Sequence, residues 1–222
     1  GAAPTTTTAS TPTWADIIRA HRGSELQNYF VKLSQGSLRV SHKPQIDHVF
    51  AKLVKRKVTH AGPVAGPDTV RSLLSDADER GAAAELAEAL SLSHLMDRPV
   101  QDLSGGELQR LAIARAAGRD ADVYIFDEVS SFLDTKERLA ATRVIRSLAG
   151  PDKYVIIVEH DLAILDAAAD SCCCLFGEPG AFGVFTHPSV VANAINQWLA
   201  GFFPAENMRF RSEPLSFRAS AA

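Results

Sequence analysis

Apolar positions along the chain fall into two regimes. In the first, they recur at helical spacing. Trp14–His21 and Glu25–Leu33 read as two helices broken at Gly23-Ser24, with Ser24 placed to cap the second. In that second helix Leu26, Tyr29, Phe30 and Leu33 recur every three or four residues. Ser37–His42 alternates as a short strand and ends at Lys43-Pro44-Gln45. A helix is predicted over Ile46–Val54, a basic and then Gly/Pro-rich loop over 56–67, and helices over Thr69–Leu74 and Glu79–Leu90.

From about residue 104 the pattern becomes regular. Ser104 is placed to cap a helix running to Ala117, and Val123–Phe126 is an apolar strand. Thr135–Leu148 reads as a helix, Tyr154–Val158 as a strand, Leu162–Ala168 as a helix and Cys172–Phe176 as a strand. Apolar runs without polar alternation, separated by helices, predict an α/β fold whose parallel sheet is covered on both faces. The last strand is expected to pair with Gly183–Phe185, followed by a helix over Ser189–Leu199 and a tail containing Glu206–Arg211. No internal repeat is present.

Composition narrows little. With 222 residues, 46% hydrophobic and 22% charged, the chain is ordinary for a globular protein and long enough to bury a core. Lys and Arg number 23 against 26 Asp and Glu, a net charge of −3 that gives no global signal for nucleic acid. The basic stretch Lys52–Lys57 reads as a solvated face. The longest apolar runs are Tyr154–Val158 and Cys172–Phe176, far short of the ~20 residues a spanning helix needs. Residues 1–13, mostly Thr, Ala and Pro, have neither the charged start nor the apolar centre of a secretory signal and read as a flexible linker. Cys172, Cys173 and Cys174 are contiguous, so on a strand they alternate between faces and cannot comfortably share one metal. They read as small apolar residues.

The chemistry lies at the ends of the predicted strands. Val123–Phe126 ends in Asp127-Glu128, two acids where open α/β sheets bind ligands. Upstream, Leu103-Ser104-Gly105-Gly106-Glu107-Leu108-Gln109-Arg110 starts a helix with a hydroxyl and two glycines, exposed amides and the positive end of the helix dipole. Ser104 and Glu107 also form a capping box, so an ordinary helix start explains the same residues. Ser130-Ser131-Phe132-Leu133-Asp134 follows the acids, and Glu159-His160-Asp161 follows the next strand. Singly each is ambiguous; in this order they form a set.

That set resembles the nucleotide-binding domain of the ATP-binding cassette (ABC) family. LSGGELQR is similar to its signature motif, VYIFDE to its Walker B strand, SSFLD to its D-loop, His160 to its switch histidine and Gln45 to its Q-loop glutamine. The resemblance implies a P-loop NTPase-like domain, a parallel-sheet core with a helical signature subdomain at about 68–118. It implies ATP and Mg²⁺, with Asp127 and Gln45 at the metal and Glu128, His160 and Gln45 as the catalytic set. Ser104, Gly105, Gly106, Gln109 and Asp134 would serve nucleotide held across a cassette dimer. Arg22–Phe30 (RGSELQNYF), Lys43-Pro44-Gln45 and the tail ENMRFR resemble, more narrowly, the first cassette and hinge of the RNase L inhibitor family, the twin-cassette ribosome-recycling ATPases.

This narrower resemblance assigns 1–13 to a linker, 14–35 to a helix-loop-helix insertion that touches the small ribosomal subunit, 36–186 to a partial cassette and 187–222 to the hinge. It implies partners in the ribosomal small subunit, termination and recycling factors and a second cassette, with no membrane. The implied location is the cytoplasm, with the nucleus as a second compartment. It implies iron–sulfur clusters only in a separate N-terminal domain.

Two departures stand out. Val129 follows the Walker B glutamate where the family usually has Pro, which is expected to loosen the turn. The P-loop, G-x-x-x-x-G-K-[ST], is absent from the 222 residues. Gly62–Pro67 is no substitute: it lacks lysine, and its two prolines remove N–H donors. The sequence therefore reads as the distal part of a cassette, inactive alone. The alternative is a P-loop-less, non-catalytic module that binds ribosome or partner and donates only the signature motif. A membrane transporter's cassette would share these ABC motifs but not the insertion or the hinge.

Overall fold

The computed structural model describes residues 13–23, 25–46 and 69–215. The Ser24 cap, all but the first residue of the helix expected over Ile46–Val54, and the loop at 56–67 lie outside them. The elements are α1 (Trp14–Ala20), α2 (Glu25–Ser34), β1 (Val40–Lys43), α3 (Val70–Ser75), α4 (Ala83–Ala89), α5 (Gly105–Gly118), β2 (Val123–Asp127), α6 (Thr135–Ser147), β3 (Tyr154–Val158) and α7 (Leu162–Ala168). Short strands β4 (Ser171–Cys172), β5 (Leu175–Glu178), β6 (Phe182–Phe185) and β7 (Ser189–Val190) then lead to α8 (Val191–Ala200).

The three long strands form a parallel sheet in the order β1-β2-β3, with β2 central. Its register sets Ser41 beside Tyr124 and Val155, and Lys43 beside Phe126 and Ile157. Because side chains alternate, these residues share one face, which α5 covers. The helix is buried almost all round because it also packs against α3, α4 and α6. Its start is fixed by the expected capping box: the Glu107 amide donates to Ser104 Oγ at 3.3 Å, and the Ser104 amide donates to Glu107 Oε2 at 2.7 Å. The Tyr124 hydroxyl donates to the Arg119 carbonyl at 2.7 Å, tying the end of α5 to β2.

The other face corrects the expectation of a sheet covered on both sides. Val40, Tyr154, Ile156 and Val158 are about half exposed or more, so among the described residues nothing covers that side of β1 and β3. The run Cys172–Phe176 is a second correction. It breaks into β4, which pairs antiparallel with β7, and β5, which pairs antiparallel with β6 as expected. Between them the Cys174 amide donates to Thr186 Oγ1 at 2.9 Å, so the run turns away from the parallel sheet. Elsewhere the bounds shift. β1 begins at Val40 rather than Ser37, and α8 begins after Ser189 and Val190, which are spent on β7. The helix expected from Glu79 starts only at Ala83. Gly81 sits at φ +68°, the Ala82 amide donates to Asp78 Oδ1 at 2.7 Å, and Glu79 turns back to the Arg119 guanidinium and the Asp120 amide.

The tail folds back on α8. Phe210 stacks on Phe176, Phe203 and Trp198, and the Arg211 guanidinium lies 5.2 and 5.8 Å from the Phe210 and Trp198 ring centres. No helix among the described residues is long and apolar enough to cross a membrane.

Candidate functional site

Parallel strands all point their carboxyl ends the same way, so β1, β2 and β3 deliver Lys43-Pro44-Gln45, Asp127-Glu128 and Glu159-His160 to one edge. Gln45 is exposed immediately past β1. Asp127 ends β2 and is partly buried. Glu128 follows in a left-handed backbone conformation, φ +48°, which a non-glycine residue adopts only when its surroundings hold it there.

Those surroundings are specific. Glu128 Oε2 accepts from the Ser131 hydroxyl at 3.2 Å, and its Oε1 lies 3.9 Å from His160 Nε2. His160 is otherwise open, its side chain 84% exposed. Glu159 braces the turn from below: its Oε1 accepts from the Ser130 amide at 2.7 Å, and its Oε2 accepts from the His160 amide at 2.7 Å. Asp161 caps α7. Val129 is buried, and its carbonyl accepts from Gln109 Nε2 at 3.0 Å.

The second cluster surrounds the start of α5. Ser104 and Gly105 are exposed, with Gly106 less so. Phe132, at φ +65° and 65% exposed, lays its ring over Gly105. Its carbonyl oxygen sits 2.8 Å from where a Cβ on Gly106 would be. Glu107 is held below the usual glutamate range, mainly by the Ser104 amide, with the Ser104 hydroxyl and the Arg98 and Arg110 charges adding to it. Asp134 caps α6, its Oδ1 accepting from the Glu137 amide at 2.8 Å. Glu137 in turn meets Arg110 at 3.2 Å, so the starts of α5 and α6 are tied together.

Of the residues singled out from sequence, Gln45, Asp127, Glu128 and His160 therefore come to one edge. Ser104, Gly105 and Gly106 form an exposed helix start beside the Phe132 turn, and Asp134 stands at the neighbouring helix start. Gln109 is different. It is fully buried, and its amide donates to the Glu128 and Val129 carbonyls at 2.6 and 3.0 Å. Its side chain faces the interior rather than the open helix start.

Three contributors were not foreseen: Ser131, Glu159 and Lys43. The first two lie inside the quoted segments SSFLD and Glu159-His160-Asp161 and could have been found as hydrogen-bonding partners of the turn. Lys43 was quoted only within Lys43-Pro44-Gln45, and nothing marked it as buried, because a lysine in sequence reads as solvated. It is 1% exposed, and its Nζ donates to the Asp127 carbonyl at 2.5 Å and the Glu128 carbonyl at 3.1 Å. Burial pushes its pKa down to about 8 against the pull of Asp127, Glu128 and Glu159.

The acid-rich edge offers hard oxygen donors suited to Mg²⁺, which commonly uses one or two protein carboxylates and completes its shell with water and phosphate. Among the described residues no group of three or more His, Cys, Asp or Glu is placed to hold a metal ion. Burial raises the thiols of Cys172 and Cys174, the latter to about 11, which fits an apolar role.

Comparison with known proteins follows the same lines. A family profile described as ABC transporter matches residues 11–131. The translation initiation factor RLI1 of Chaetomium thermophilum is 48% identical over 93% of this chain and 32% of its own length. An archaeal ribosome recycling factor, aABCE1, solved in complex with the ribosomal stalk protein aP1, superposes with a TM-score of 0.81 at 44% identity, over 96% of this chain and 39% of that one. A structure of RNase-L inhibitor gives 0.79 at 45% identity, over 92% and 38%. The chain spans about a third of the length of the curated relatives it matches.

Proposed function

This chain belongs to the ABC family, in its RNase L inhibitor branch, and from that membership we propose that it forms part of an ATPase that splits ribosomes into subunits, acting in ribosome recycling, translation and ribosome biogenesis in the cytoplasm. One observation carries the reading. Gln45, Asp127, Glu128 and His160 meet at the carboxyl ends of three adjacent parallel strands, with Glu128 held at φ +48°.

In this reading Asp127 and Gln45 would hold Mg²⁺, which would supply positive charge to offset that of the ATP phosphates. Glu128, fixed by Ser131, accepts the proton of the attacking water, and His160 contacts the γ-phosphate. Its 3.9 Å distance from Glu128 places the imidazole beside the carboxylate that takes the proton. Ser104, Gly105 and Gly106 present amides and a hydroxyl to nucleotide bound by a second cassette, and Asp134 couples the two sites through the start of α6. The paired helices α1 and α2 meet the small ribosomal subunit.

No G-x-x-x-x-G-K-[ST] occurs in the sequence, so the 222 residues alone neither bind ATP tightly nor hydrolyse it, and hydrolysis belongs to the complete twin-cassette protein. The same fact supports a second reading, a non-catalytic module donating only its signature motif. ATP turnover and ribosome splitting on sucrose gradients separate the two. Turnover by the complete protein that Glu128→Gln abolishes supports the enzyme. Turnover by the 222 residues alone, lost in Glu128→Gln, overturns the assignment of hydrolysis to the longer assembly.

A further inference from the structure

We propose that Lys43 is a positioning residue for ATP hydrolysis, a buried cation that clamps the Asp127 and Glu128 carbonyls and so sets the backbone from which the Glu128 carboxylate is aimed. The proposal rests on the functional reading above and adds a residue to it.

The need for a clamp comes from Glu128 itself. A left-handed glutamate is unfavourable for an L-residue, and such a conformation persists only where several contacts over-determine it. Here two buried side chains from different elements converge on the same peptides. Lys43, the last residue of β1, spans the Asp127 and Glu128 carbonyls. Gln109, from α5, spans the Glu128 and Val129 carbonyls. Three consecutive carbonyls thus receive four hydrogen bonds, and the Glu128 carbonyl receives one from each side.

Both donors give something up to do so. Lys43 keeps its ammonium out of water, an arrangement proteins tolerate only with close compensation. Gln109 leaves its Oε1 without a partner among the described residues so that its Nε2 can serve two carbonyls. Packing alone would place methionine or leucine at position 43, beside Phe126 in the ladder. The ammonium instead donates hydrogen bonds to the Asp127 and Glu128 carbonyls. It also fixes where β1 ends relative to β2, and Gln45 leaves β1 two residues later. Lys43 therefore links the glutamine at the metal to the glutamate at the water.

The test uses Lys43→Met in the complete twin-cassette protein, with the same variant in the 222-residue chain. Methionine fills similar space without burying a charge, so the melting temperature holds or rises. ATP turnover is expected to fall at least tenfold in kcat with KM for ATP within twofold, because the bound substrate is untouched and only the base is misdirected. In the 222-residue chain, the ¹H–¹⁵N signals of Glu128 and Val129, whose amides adjoin the clamped carbonyls, should shift or broaden while those of α7 stay in place. Lys43→Gln, which keeps an uncharged amide donor, should recover part of the kcat and serves if the methionine variant does not fold.

Wild-type kcat in a folded Lys43→Met protein overturns the proposal, as do unmoved Glu128 and Val129 signals. A complete wild-type protein without ATP turnover, or one indifferent to Glu128→Gln, overturns the functional reading instead. The amide signals then still decide whether the clamp exists.

Discussion

Gly106 should not tolerate a methyl group, and the cause is inside the chain. A Cβ built on Gly106 comes 2.8 Å from the Phe132 carbonyl oxygen, several tenths of an ångström inside a normal carbon–oxygen contact. The oxygen cannot easily retreat. Phe132 sits at φ +65°, the next amide, Leu133, donates to the Ser130 carbonyl at 3.2 Å, and the Leu133 carbonyl accepts from Arg138 Nε at 2.9 Å. Forcing atoms into packed backbone costs about 1–3 kcal/mol. Replacing glycine by alanine within a helix returns up to about 1 kcal/mol, and less in the first turn. Gly106→Ala should therefore destabilise by about 1–2 kcal/mol.

For a chain of this size that is a fall of roughly 2–8 °C in melting temperature, readable by circular dichroism on the 222 residues without nucleotide. Gly105→Ala is the control. The atoms nearest its Cβ belong to the Phe132 side chain, the ring at 3.3 Å, and Phe132 is 65% exposed with room for its ring to swing, so the variant's melting temperature should stay within ~2 °C of wild type. If Gly106→Ala melts at or above wild type, or the two variants are equal, the contact is not what requires the glycine.

Acid should weaken the signature helix start. Glu107 has a folded pKa below its unfolded one, so its contribution is present above the usual glutamate value and is lost as pH falls through the folded value. Carboxyl NMR should show Glu107 titrating below that usual value, and melting temperatures between pH 6 and 3 should fall less steeply in Glu107→Gln; a Glu107 midpoint at or above the ordinary value refutes this. Iodoacetamide at pH 8 should modify the exposed Cys173 first and Cys174 last, since burial raises the Cys174 thiol to about 11. Equal rates by mass spectrometry would contradict the burial assigned to Cys174.

Much of this architecture was legible wherever a local rule met a global one. The helix 105–118 has a capping box and an apolar body. Tyr154–Val158 and Leu162–Ala168 appear with the expected bounds, because each is a continuous run bounded by turn residues. The candidate edge followed, since residues ending parallel strands must share it. What failed had non-local causes. Cys172–Phe176 has a strand's composition, but its partners lie at 182–190 rather than in the main sheet. Glu79–Glu85 has helical composition, yet Asp78 and Arg119 draw off its first turn. The inward Lys43 and Gln109 were unreadable because their targets are backbone carbonyls, which leave no trace in side-chain identity.

The span of the Lys43 clamp has a consequence for assembly. It joins residues 84 and 85 positions apart, so it closes only after β1 has found β2, a long-range pairing that costs loop entropy and comes slowly. Because strand faces alternate, a slip of β1 by one residue would turn Lys43 toward the open side of the sheet and replace it with His42 or Pro44. The Glu128 carbonyl would then keep only the Gln109 amide of its two donors. Register and the backbone at Glu128 are thus tied together: a copy of this domain folded out of register leaves the Asp127 and Glu128 carbonyls without the Lys43 ammonium.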